Sequence, residues 1–302
     1  MIATGGGRFD PSEGSVFFLA TSVDFAHRIR DHHKHILIPL NEMRGNHPLE
    51  EIAKLLDTGC KLLVDSGIFW LTNHHARKTG ITMDVALGIP PEQIPGFEEL
   101  WSLYMRIVTR FADQLWGYIE LDQGGRERKR ETRRRLEAEG LSPIPVYHPL
   151  LDGWDYFDEL AEGYDRLCFG NIVQADAATR TRLCHTAYER HRRYPELWVH
   201  LLGMTPNATT MHFPASSVDS STWLSGVRWG SCAAYAGVVP FSIREPEMRY
   251  AKGEPIGGDS EQGYTKALRM AAHEAAFAQR AWRHWHGRLH EELGFERWPV
   301  AA

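Results

Sequence analysis

The run KLLVD, residues 61–65, is apolar through its middle and closes on an acid, with Ser66 and Gly67 directly after it. Such a run, without the alternation of a half-exposed strand, fits a parallel strand covered on both faces. Moving outward, the same signature returns upstream as VFFLAT (16–21) and ILIPL (36–40). Downstream it recurs as LWGYIELD (115–122), IPVYHP (144–149), RLCFGN (166–171), LWVHLLGM (197–204) and HFPASSVD (212–219). Eight strands are therefore predicted.

Helical periodicities lie between them. LEEIAKLLDTG (49–59) sets Leu49, Ile52, Leu55 and Leu56 on one face and stops at Gly59, a C-terminal cap. FEELWSLYMRIVTRFAD (97–113) repeats the pattern, RERKRETRRRLEAEG (126–140) also ends at a glycine, and TRTRLCHTAYERHRR (179–193) follows the sixth run. Strands alternating with helices predict an α/β fold, and eight of them predict a (β/α)8 TIM barrel, with a doubly wound open sheet as the alternative. The barrel is expected over about residues 16–250 of a single domain, 1–302. Beyond Asp219 the rhythm breaks into Gly-, Ser- and Trp-rich sequence, then KGEPIGGDSEQG (252–263). A C-terminal helical extension is predicted over 264–294, packed on the barrel.

With 302 residues, 43% hydrophobic and 24% charged, the chain has the composition of an ordinary globular protein. The net charge of −5 excludes a polycation, so any nucleic-acid contact must come from a local patch. Cys60, Cys168, Cys184 and Cys232 lie far apart, so the thiols read as reduced and no zinc subdomain is expected. The opening MIATGGGRFDPSEGS has no basic stretch leading into an apolar one, and no apolar run approaches the roughly 18 residues of a membrane span. A cytoplasmic protein without membrane contact is the expectation. The histidine groups His32, His33, His35; His74, His75; and His284, His286, His290 have no carboxylate at metal-site spacing, so no metal is expected.

Barrel enzymes carry their chemistry at the C-terminal ends of the strands. Those ends are Asp65, Asp122, His148, Gly170 with Asn171, Gly203 and Asp219. A single aspartate there is commonly an N-cap or turn residue. Three on one rim, each followed by small residues, point to a site. The run RERKRETRRR (126–135) begins just after Asp122 and, as a helix, would present Arg126, Arg130, Arg133 and Arg134 on one broad face. That face reads either as solvated surface or as a phosphate-contacting edge.

LVDSGIF (63–69) resembles the DSGG[FY]Q motif of the tRNA-guanine transglycosylases. HLLGM (200–204) followed by SSVDSSTW (216–223) is similar to the segment carrying that family's nucleophilic aspartate. YIELD (118–122) and RLCFGN (166–171) fall where the family places its second base-reading aspartate and its base-binding turn. The resemblance covers about residues 60–225. It implies that Asp219 is the nucleophile and Asp65 the general acid/base. It further implies that Asp122 reads the base edge and that the Gly170–Asn171 turn contacts the carbonyl side. Ser66, Gly67, Phe69, His148 and Gly203 complete the expected base site, with Trp70 and Trp223 as further stacking candidates. No cofactor is implied.

The departures are Ile68 for the family's second glycine, Trp70 for its glutamine, and absence of the C-terminal zinc site. These look like the shortened phage or bacterial relatives that insert 7-deazaguanine bases into DNA. The resemblance thus implies exchange of guanine for a preQ0-like base, in DNA before tRNA, in a bacterial or phage-infected cytoplasm. The implied partners are the nucleic acid, the free base, and a second copy or partner subunit. A nucleoside hydrolase using the same aspartates and a non-catalytic partner subunit are the alternatives.

Overall fold

The computed structural model describes residues 2–4, 16–43, 47–191, 193–194, 196–205, 215–224, 231–235, 248–252 and a few positions between 267 and 275. Eight strands form one sheet: β1 (Val16–Ala20), β2 (His35–Pro39), β3 (Lys61–Asp65), β4 (Gly117–Tyr118), β5 (Val146–Tyr147), β6 (Arg166–Phe169), β7 (Trp198–Leu201) and β8 (Ser217–Ser220). Their order is β4-β3-β2-β1-β8-β7-β6-β5. The two end strands meet in a parallel bridge, Ile119 with Ile144, through Ile144 N–H to Tyr118 O (2.8 Å) and Glu120 N–H to Ile144 O (3.0 Å). This closure decides between the two predicted architectures in favour of the (β/α)8 barrel-like fold. The strand interiors are buried along their length, as parallel strands covered on both faces require.

The helices are α1 (Val23–Ile29), α2 (Pro48–Asp57), α3 (Ile68–Thr79), α4 (Met83–Leu87), α5 (Phe97–Phe111), α6 (Gly125–Ala138), α7 (Trp154–Gly163) and α8 (Ala177–His191). α2 and α5 bury their apolar stripes, Ile52 and Leu55 in one, Leu100, Tyr104, Ile107 and Phe111 in the other. Gly59 follows α2 at φ 77°, the left-handed geometry of a helix C-terminus. α6 is different: its buried residues are Lys129, Arg133 and Leu136. A further antiparallel pair, β9 (Ser231–Tyr235) and β10 (Met248–Lys252), follows the barrel strands. The helix expected over 264–294 falls almost wholly outside the described residues, although Ala267 and Ala271 are buried.

The chain divides into two compact units, Met1–Phe9 with Ala20–Ile172, and Asp10–Leu19 with Val173–Ala302. In the first, β2 pairs with β3 and β3 with β4, and β5 pairs with β6. Tyr147, Trp154, Phe157 and Phe169 form one aromatic cluster, with centroids 5.3–6.2 Å apart. Buried Arg166, at the start of β6, ties down the start of the chain: its Nη2 donates to Thr4 O (2.8 Å) and its Nη1 to Trp116 O (2.5 Å). In the second unit, β8 pairs with both β1 and β7.

Candidate active site

Asp65 ends β3, and the Gly67 N–H donates to its Oδ1 (3.2 Å). Gly67 sits at φ 76°, and a Cβ there would stand 2.6 Å from Asn41 Oδ1 and 2.8 Å from Asn41 N. Glycine is thus demanded by the fold at this turn, not only by the approach of a ligand. Ser66 is fully buried, and its Oγ accepts from Ile68 N–H (3.4 Å), so its hydroxyl serves the start of α3. Phe69 and Trp70 are exposed, at 38% and 50%, and Trp70 lies flat on His74 with centroids 5.5 Å apart. Trp223, in contrast, is buried core.

Past β4 the chain runs Glu120, Leu121, Asp122, Gln123, and three of these side chains are committed. Gln123 is buried; its Nε2 donates to Ala86 O (2.7 Å) and Ile89 O (2.8 Å), while its Oε1 accepts from Thr72 (2.7 Å). Glu120 is buried too. Its Oε1 accepts the Val146 N–H (2.7 Å), and its Oε2 stands 3.0 Å from Arg133 Nε. Burial pushes the Glu120 carboxyl above its ordinary range, only partly offset by Arg133 and Lys129.

Asp122 pairs with His148, Oδ2 to Nε2 at 2.7 Å. Burial alone would raise its pKa, but the His148 hydrogen bond and charge, together with Lys129, outweigh it and hold the carboxyl below the usual range. Asp122 is therefore an ionised acceptor. His148 is itself fixed from behind: its N–H donates to Asp152 Oδ2 (2.9 Å), which also receives Lys129 Nζ (2.6 Å). Lys129, fully buried, donates in addition to Val146 O (3.0 Å).

Gly170 leaves room for that histidine, since a Cβ there would lie 2.9 Å from His148 Cδ2 and 2.8 Å from Val146 Cγ1. Asn171 follows at φ 47°, a left-handed geometry that asparagine tolerates better than most residues. It is 6% exposed, and neither Oδ1 nor Nδ2 has a partner among the described residues. An unpartnered buried amide costs about 1–3 kcal/mol, so this one calls for an explanation.

The second unit holds Asp219, buried on β8. Its Oδ1 accepts the Gly203 N–H (2.8 Å) and lies 3.2 Å from His200 Nε2. Both contacts fall on one oxygen. Gly203 adopts φ 66° to present its N–H. Thr205, Ser220 and Thr222 form a hydroxyl cluster nearby in sequence, with Thr205 Oγ1 2.8 Å from each of the other two.

The basic run departs from its expected single face. Arg133 is buried against Glu120 and Tyr156 and belongs to no exposed surface. Arg126 pairs with Asp155 (2.6 Å) and Glu159 (3.0 Å), and Arg130 with Glu127 (2.5 Å) and Glu159. Both also lie over the Tyr156 ring, 4.7 and 5.1 Å from its centroid. Arg134 is exposed. Lys129, Asp152, Gln123 and Glu120 build the site without having been singled out by the sequence. For Lys129, Arg133 and Leu136 a signal existed, their i, i+4, i+7 spacing.

Cys60, Cys168 and Cys184 are buried, and the described residues contain no cluster of metal ligands. No described helix is long and apolar enough to cross a membrane. No family model and no curated protein matches the chain. Among solved structures it is similar to one titled "Structure of a cube-shaped, highly porous protein cage designed by fusing symmetric oligomeric domains". The identity is 12% and the TM-score 0.49, over 93% of this chain and 78% of that one. The barrel is established by its own strand order.

Proposed function

We propose that this chain is a base-exchanging glycosyltransferase that replaces guanine in a polynucleotide, DNA in preference to tRNA, with a 7-deazaguanine of the preQ0 type. The observation the reading rests on is the buried Asn171 amide, without a partner among the described residues, taken together with ionised Asp122 on His148. A flat heterocycle with a carbonyl and an N–H/amine edge would satisfy both. Asp122 would accept from N1–H and the exocyclic amine, which adenine does not present together, and the Asn171 amide would donate to the carbonyl side.

Asp219 is assigned as the nucleophile. Its carboxylate attacks C1′ as the C1′–N9 bond of guanine breaks, giving a glycosyl ester. The incoming base then displaces the carboxylate, so two inversions give net retention. A carboxylate suits both steps because it stabilises the oxocarbenium-like transition state and can leave again. Asp65 is the general acid/base that protonates departing guanine and later takes the proton from the incoming base. The target nucleotide must leave its helix or be single-stranded to be reached. Trp70, exposed after the Asp65 turn, offers a stacking face for it.

The test is retention of 8-labelled guanine in duplex DNA, single-stranded DNA or bulk tRNA, with Asp219→Ala alongside. Label in DNA that vanishes in Asp219→Ala supports the reading. Label in tRNA alone keeps the mechanism and overturns the substrate. Release of free base with no incorporation marks a hydrolase, and no reaction with any polymer overturns the assignment.

A further inference from the structure

We propose that His200 is a positioning residue for Asp219, held by Ser217 as the neutral Nε2–H tautomer so that one carboxylate oxygen is clamped and the other is left for the anomeric carbon. The function of this clamp rests on the assignment of Asp219 as nucleophile; the tautomer itself does not.

Hydrogen-bond accounting within the second unit fixes the tautomer. The Trp198 indole N–H can only donate, and its partner is Ser217 Oγ at 2.7 Å. Ser217 is fully buried, so its single hydroxyl proton needs an acceptor, and His200 Nδ1 lies 2.7 Å away. If Nδ1 carried a proton it would donate to Ser217 Oγ, and the Ser217 O–H would be left buried without an acceptor. That would cost the desolvation of the hydroxyl. Nδ1 is therefore the acceptor and the ring's proton resides on Nε2.

Nε2 faces Asp219 Oδ1 at 3.2 Å, and an ionised carboxylate can only accept. The demand from Asp219 and the demand from Ser217 select the same tautomer independently. The chain of donors runs Trp198 to Ser217 to His200 to Asp219 without a mismatch. The His200 ring is also packed edge-on against Phe18, centroids 5.8 Å apart, which fixes its plane.

Gly203 N–H supplies the second donor to the same Oδ1. The carboxylate is thus gripped at one oxygen by two groups from the β7 segment, and Asp219 Oδ2 has no hydrogen-bond partner among the described residues. A nucleophile must be held within a small fraction of an ångström of its line of attack, and misplacement by about 1 Å can cost ~10²-fold in rate.

The experiment is long-range 1H–15N correlation on histidine-labelled full-length protein, joined to base-exchange kinetics. His200 is expected to give a protonated, pyrrole-type Nε2 and a pyridine-type Nδ1. Ser217→Ala is expected to mix the tautomers, and Asp219→Asn to shift the Nε2 resonance. In exchange assays His200→Leu should lower kcat by about 10²-fold with KM for the incoming base little changed, and His200→Gln, which keeps an amide donor, should lower it less. An Nδ1–H tautomer, or a spectrum indifferent to Ser217→Ala, overturns the inference, as does a change confined to KM. If the wild-type protein shows the expected spectra but exchanges no base, the nucleophile assignment falls while the tautomer lock stands.

Discussion

At Asn171 two costs coincide, a left-handed backbone and a buried amide with nothing to bond, and neither contributes to holding the fold. Asn171→Gly relieves both. Its unfolding free energy in urea is expected to equal or exceed that of the parent, while guanine affinity by calorimetry falls at least about tenfold, the loss of a hydrogen bond of ~1.4 kcal/mol. A variant that is clearly destabilised would make Asn171 a structural residue. Gly170 makes the opposite case. Gly170→Ala drives a methyl against His148 and Val146, and an overpacking cost of about 1–3 kcal/mol is expected together with loss of the Asp122–His148 pair. Thermal unfolding and the His148 ring resonances would report the two effects separately. Ser66 and Gly67 carry a different lesson. The family resemblance implies that both face the base, yet the positive φ of Gly67 and the Ser66 hydroxyl that accepts from Ile68 N–H answer to Asn41 and α3. Small residues after a strand serve the turn first.

α6 is the element on which sequence and structure part most. A barrel helix must bury one side, and α6 has only Leu136 to bury as a full apolar residue, so the rest of its inner side is Lys129 and Arg133 with partners from other elements. Lys129→Met is expected to destabilise by about 3–5 kcal/mol by stranding buried Asp152, whereas Arg126→Gln, whose ion pairs are partly exposed, should cost under ~1 kcal/mol. Urea unfolding of the two variants checks the contrast. Beyond the spacing of Lys129, Arg133 and Leu136, the charge run does not show which side chains find partners, because Glu120, Asp152 and Tyr156 are distant in sequence. The strands were legible for a simpler reason: eight apolar runs need no partners to be recognised. Their lengths were not, and LWGYIELD shortens to Gly117–Tyr118 because Glu120 takes over as acceptor for β5 through its side chain. Helices α1, α3, α4 and α7 went unremarked, α3 because its stripe is short and interrupted by Asn73, His74 and His75.

Across the whole molecule, two carboxylates, buried Glu120 and half-buried Asp122, set opposing acid responses. Asp122 has a depressed folded pKa, so its stabilisation is complete above the ordinary carboxylate value of 3.8 and is lost as pH falls through the folded value. Glu120 has a raised one, so its contribution is greatest below the ordinary 4.5 and declines as pH rises toward the folded value. Unfolding free energies measured from about pH 3 to about pH 6 should show a shallower acid loss in Asp122→Asn and, in Glu120→Gln, removal of the decline above ~4.5. The same two residues closely follow Ile119 of the bridge between Ile119 and Ile144, where the end strands of the sheet are joined by very few backbone bonds. Strands joined by so few bonds part readily, so the Glu120 and Ile144 amides are expected to be among the earliest strand amides of the first unit to exchange with deuterium. Asp122 and His148 stand just beyond the two halves of that bridge and are themselves tied together. A base held by Asp122 would brace this pair of strands, and slowed exchange at those two amides would announce it before any chemistry is seen.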